Sequence, residues 1–139
     1  MTEAMSDGTR DLLKSLRQSL LSLHKMLLDQ ERVGYERARG KISNSYEFLQ
    51  LALKDPWFDW LHRLSELIVQ IDESLDVREG TAPVTDNDAK ALVSRAKALL
   101  SPSETGSEFQ KNYFLAMQQS PDVVLLHSEL VKLWGRAET

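Results

Sequence analysis

The chain has no cysteine. That excludes disulfides, thiolate metal sites and cysteine nucleophiles, and it removes any need for an oxidising compartment. Glycine and proline are sparse, six and four residues in a chain of 139, and most stand where other residues also signal a break. No apolar run approaches the roughly 20 residues a membrane-spanning helix needs, so a membrane partner is not expected. The opening MTEAMSDGTRD lacks the basic start and apolar stretch of a secretory signal, which makes a cytoplasmic address the expectation. Positive charge is not in excess either. The net charge of −4 argues against a general phosphate-binding surface, and no nucleic-acid partner is expected.

What is present is leucine at helical spacing. With 42% hydrophobic residues the chain can build one compact core. Asp7 or Thr9 can cap a helix running to about Arg39, with Leu12, Leu13, Leu16, Leu20, Leu23, Leu27 and Leu28 spaced by threes and fours. At the helical rise it would be about 45 Å long. Gly34 weakens its last turns, and Gly40 is a natural stop behind Arg37 and Arg39. Asn44 with Glu47 opens a short helix over residues 45–54 that carries Phe48, Leu49, Leu51, Ala52 and Leu53.

Asp55-Pro56 then restarts the helix as DPWFDWLHRLSELIVQIDESL. Trp57, Leu61, Leu64, Leu67, Ile68, Ile71 and Leu75 share one arc of it, with Trp60 at the border. The two pieces are expected to follow a shared course. After a connection at VREGTAPVT, Thr85 and Asp88 open a helix over residues 86–100. SPSETGSE links it to a region carrying Phe109, Tyr113, Ala116 and Met117. Ser120-Pro121 starts a final segment to about Trp134, with Val123, Leu126, Leu130 and Leu133. The expected fold is all-α, an antiparallel bundle of four main helices, the second and fourth interrupted at Pro56 and Pro121. Residues 1–8 read as a flexible lead-in, 9–135 as one domain and 136–139 as a tail.

LLSLHKMLLDQERVGYERARGKI followed by DPWFDWLHRLSELIVQIDE resembles a family of small bacterial helical proteins of unknown function, over residues 12–75. The resemblance implies a bacterial origin and a helical domain, and it carries over no catalytic residue.

Chemistry-bearing residues are few. Arg17, His24 and Glu31 stand seven apart and rise along one stripe through the leucine arc. His127 stands likewise among Val123, Leu130, Val131 and Trp134. His24, Glu31 and His127 together would suit zinc or iron, and bundle interiors host such sites. Against that, no Glu-x-x-His motif is present, the nearest spacing being Asp59-x-x-His62. A histidine on an apolar face usually satisfies itself with a nearby polar group. No resident cofactor is therefore expected. A second candidate is a small-ligand pocket lined by Trp57, Phe58, Trp60, Phe109, Tyr113 and Trp134, with His24 or His127 as its polar contact; heme is a special case of it. Aromatic residues at helical spacing more often fill a core.

Arg32, Arg37, Arg39 and Lys41 form a basic run, interleaved with Glu31 and Glu36, whose placement at a helix end has an ordinary electrostatic reason. Ser65 has no base in sequence reach, so no serine hydrolase is expected, and no catalytic residue is assigned. Leu21, Val33, Trp60, Phe114 and Leu115 lie off the main stripes. Their exposure would favour association, as a homodimer or with another protein, over enzymatic chemistry.

Overall fold

The computed structural model describes residues 5–76 and 84–138; most of the VREGTAPVT connection lies outside them. Among the described residues the chain is all-helical, with six α-helices and one 3-10 segment and no strand. None of these helices is long and apolar enough to cross a membrane.

Helix α1 (Asp7–Arg39) is the longest, about 50 Å at the standard rise. Its cap is Ser6, whose hydroxyl accepts the Thr9 N–H; neither Asp7 nor Thr9 plays that part. Leu13, Leu16, Leu20, Leu23 and Leu27 are fully buried along it. It stops at Gly40, whose φ of 101° is open to glycine and strained for any other residue. The helix runs unbroken through Gly34. A Cβ there would stand 3.5 Å from the Trp57 ring, an ordinary contact.

Helix α2 (Ser45–Lys54) is capped by Asn44, whose side chain accepts the Glu47 N–H at 2.8 Å. Asp55 then caps a 3-10 segment (Pro56–Leu61), accepting the Trp57 N–H, and α3 (His62–Leu75) continues from it. These pieces are two segments and not one straight rod, as expected, and the chain turns between them. His62 Nε2–H donates to the Ala52 carbonyl at 3.0 Å, whereas ten residues along one straight helix would separate them by about 15 Å. The chain turns sharply at Asp55, whose ψ of 133° is extended, as expected of a residue before proline.

The tighter winding also reassigns the aromatics. Phe58, Trp60 and Leu61 are buried and Trp57 is half-buried, so Trp60 is not the border residue that a regular helical wheel makes it.

Helix α4 (Asp86–Leu99) opens on the Thr85–Asp88 capping box, and α5 (Glu108–Gln119) on one formed by Ser107 and Gln110. Ser120 ends α5, and α6 (Pro121–Glu138) follows, so the chain does break at Pro121. Helix α1 packs against α3, α4 and α6; α3 also meets α4, and α4 meets α6. Helix α5 lies on α6 and the 3-10 segment, and α2 lies chiefly on the 3-10 segment.

Of the proposed lead-in and tail, residues 1–4 and 139 lie outside the described residues, and the described parts make contacts with the body of the fold. Met5 is buried and its N–H donates to the Val84 carbonyl at 2.8 Å, while Ser6 N–H reaches Asp86 Oδ1 at 2.9 Å. Residues 136–138 extend α6 as helix, and Ala137 packs on the core.

Candidate functional site

Helices α1 and α3 meet along a row of polar contacts. Arg10 Nη1 donates to the Leu75 carbonyl at 3.3 Å. Arg17 Nη1 meets Asp72 Oδ1 at 3.4 Å, and His24 Nε2 lies 2.8 Å from Ser65 Oγ. Glu31, one further step of seven, faces the indoles of Trp57 and Trp60. Each advance along α1 matches a retreat along α3, so the two helices run in opposite senses. The seven-residue stripe is therefore an interhelical seam. Arg10 belongs to it and was missed, though it too stands seven residues before Arg17.

Burial sets the electrostatics. The His24 imidazole is held below its ordinary range, first by desolvation and then by the nearby His62. Desolvation pushes the Glu31 carboxyl up, and the indole N–H groups of Trp57 and Trp60 offset part of that. Trp57 Nε1–H is nonetheless buried with no acceptor in hydrogen-bonding position. Its dipole helps the carboxylate without completing a bond. Tyr35 stands edge-on to Trp57 at 5.7 Å between centroids, and the Arg39 guanidinium lies 5.8 Å over the same indole. Arg32 lies 4.5 Å over Phe48 and 3.7 Å from Glu36. Two members of the basic run thus rest on aromatic faces at the end of α1.

His127 belongs to a different contact set. Its Nδ1 lies 2.7 Å from the hydroxyl of the fully buried Tyr113. Burial pushes the phenol well above its usual pKa, so it keeps its proton and can donate to an unprotonated Nδ1. Desolvation holds this imidazole low as well. A row of rings separates it from Glu31: Trp60 to Phe109 at 5.2 Å, Phe109 to Tyr113 at 5.8 Å, then His127 at 5.5 Å. Among the described residues no three His, Asp or Glu side chains gather closely enough to hold a metal ion. His24, Glu31 and His127 are therefore not a ligand set. Trp134 lies in neither aromatic group; it is buried and lines a small cavity with Val93 and Lys97 of α4. The single pocket expected between the aromatics is a filled core.

The structure does supply Ser65 with a base, in His24, contrary to the sequence expectation. The pair lacks the rest of an acyl-transfer site. Ser65 Oγ also lies 3.4 Å from the Leu61 carbonyl inside a continuous helix, where backbone N–H groups are engaged and unavailable to an oxyanion. No side chain is seen orienting the other nitrogen of His24 among the described contacts.

Beside the seam lies a surface of opposite character. Leu53, His62, Ser65, Glu66, Val69 and Glu73 border an open groove of ≈ 510 Å³ between α2 and α3. Helix α2 buries none of its ten residues completely. Tyr46, Leu49 and Leu53 are exposed along its outer side at 72%, 53% and 57%, and Val69 of α3 at 52%. Of the residues expected outside, Leu21, Val33 and Leu115 are exposed, Phe114 is half-buried and Trp60 is buried. Leu49 and Leu53 escaped sequence reasoning because α2 is apolar on both sides. Nothing in its pattern says which side meets the core.

In comparisons with known proteins, no family model, curated sequence or solved structure gives a significant match to this chain.

Proposed function

We propose that this protein works by association with a protein surface rather than by catalysis, and that the outer face of α2 with its adjoining groove is the surface used. One observation carries the reading: Leu53 and Val69 border one open groove and, with Tyr46 and Leu49 on the outer side of α2, are uncovered, while the polar groups of the neighbouring seam are nearly all engaged within the chain. An active site tends to show the reverse, with polar groups converging on an open space. A contiguous apolar patch beside a polar rim is the ordinary signature of an interaction site. The proposal extends to a bacterial cytoplasmic setting, as the resemblance over residues 12–75 implies. It also takes α1, α3, α4 and α6 as an antiparallel four-helix core, a grouping supported by their mutual contacts and by the opposed senses of α1 and α3.

A photo-crosslinking residue placed at Leu53, against one at exposed Glu104, tests the interaction surface. Adducts to a polypeptide from position 53 and few from 104 are expected. Equal yields, or none from either, would remove the support.

A further inference from the structure

We infer that the occupant of the α2 face is a second copy of this chain, docked about a two-fold axis so that each α2 lies against the other protomer's α2–α3 groove. The inference rests on the association reading above and names its partner.

Self-complementarity is the first argument. The exposed ridge of α2 (Tyr46, Leu49 and Leu53) ends at the groove, since Leu53 closes the one and lines the other beside Val69. A ridge beside the groove it would fill, on one surface, is what an isologous contact requires. Charge is the second. The groove carries Glu66 and Glu73, neither with an ion-pair partner among the described residues. Lys54, at the end of the α2 ridge, is exposed and equally without one. Across a two-fold axis the lysine of each copy would face the acidic groove of the other.

Area is the third argument. Four large apolar side chains, Tyr46, Leu49, Leu53 and Val69, are each more than half exposed, and they can supply the apolar part of the ~800 Å² per partner that a standard interface buries. The rim residues Gln50, Lys54, Glu66, Gln70 and Glu73 can supply the remainder. The exposed apolar positions of α6, Val124, Leu125 and Val131, are the rival surface. Lys132 beside them is already paired with Glu129.

Sedimentation equilibrium of the full chain from about 1 to 500 µM, with Leu53→Glu and Leu125→Glu variants, tests the inference. The wild type and Leu125→Glu are expected to dimerise, and Leu53→Glu to dissociate at least tenfold more readily. Both substitutions are at exposed sites, so helical circular dichroism should be unchanged. A wild type monomeric throughout the range overturns the dimer, as does a dimer broken by Leu125→Glu and untouched by Leu53→Glu. If the protein is monomeric while Leu53 still crosslinks to a different polypeptide, the second copy is wrong and the association reading stands. If it is monomeric and forms no crosslinks, both fail.

Discussion

The α1–α3 seam and the outer face of α2 lie side by side and invert the usual arrangement of a folded surface. In the seam, arginine, histidine, serine and glutamate sit between helices, and most have found partners there. On α2, leucine and tyrosine face outward. Burying polar groups costs little when each is matched, because only the unmatched ones lose hydration without return. Exposing apolar groups has no such remedy within one chain. The seam is thus complete as it stands, and the α2 face is completed by another surface.

The sharpest way to break this contrast is to shorten leucines on its two sides. Leu64 is fully buried in α3, so Leu64→Ala should lower unfolding free energy by about 3 kcal/mol, the usual cost of lost burial plus a cavity. Leu53→Ala should change monomer stability by less than about 0.5 kcal/mol, as surface substitutions do. Urea unfolding at a concentration below association measures both, and similar losses would show that α2 is part of the core.

Ser65→Ala should cost about 1–2 kcal/mol by the same measurement, since it strips the half-buried His24 Nε2 of its partner. A neutral result would mean that water replaces the hydroxyl and that the groove reaches the seam.

Acid should loosen both histidine contacts. His24 and His127 are held below the ordinary 6.5 in the folded chain, so the unfolded chain takes up protons first as pH falls. Their contribution to stability is complete above about 6.5 and declines below it, until the folded-state values are reached. Glu31 has the opposite sign: its raised carboxyl costs stability as pH climbs from 4.5 through the folded value, so Glu31→Gln should relieve a penalty at neutral pH. Urea midpoints for the wild type should fall between pH 7.5 and 5.5, and His24→Gln with His127→Gln should flatten that slope. A midpoint that rises on acidification would contradict the assignment.

A small gain rather than a loss is expected at Gly34. Alanine there adds helix propensity and sets a methyl in ordinary contact with Trp57, so Gly34→Ala should raise stability by about 0.5–1 kcal/mol. Destabilisation in thermal melts would show that the indole packs more tightly on α1 than the 3.5 Å separation indicates.

Much of this architecture is legible in the chain itself. Asn44 and Thr85 cap the helices they precede, and the leucine spacing of α1 marks its buried side. Such signals are local, so they survive translation into three dimensions. The sharp turn at Asp55 is not local. Proline makes a break readable, whereas the angle depends on how the 3-10 segment packs its aromatics.

The same limit governs the candidate site. The seven-residue spacing of Arg17, His24 and Glu31 identifies a shared face but not what it meets. Asp72 and Ser65 answer it from α3, and Trp57 and Trp60 from the 3-10 segment. His127 offers the same apolar neighbours in sequence, yet Tyr113 claims it and three rings stand between it and Glu31.

Backbone hydrogen exchange of residues 45–54 at low and high protein concentration tests the central claim most directly. Slower exchange in α2 as concentration rises, with α4 unchanged, is the result expected if a second copy covers Tyr46, Leu49 and Leu53. Exchange in α2 that does not vary with concentration would contradict it.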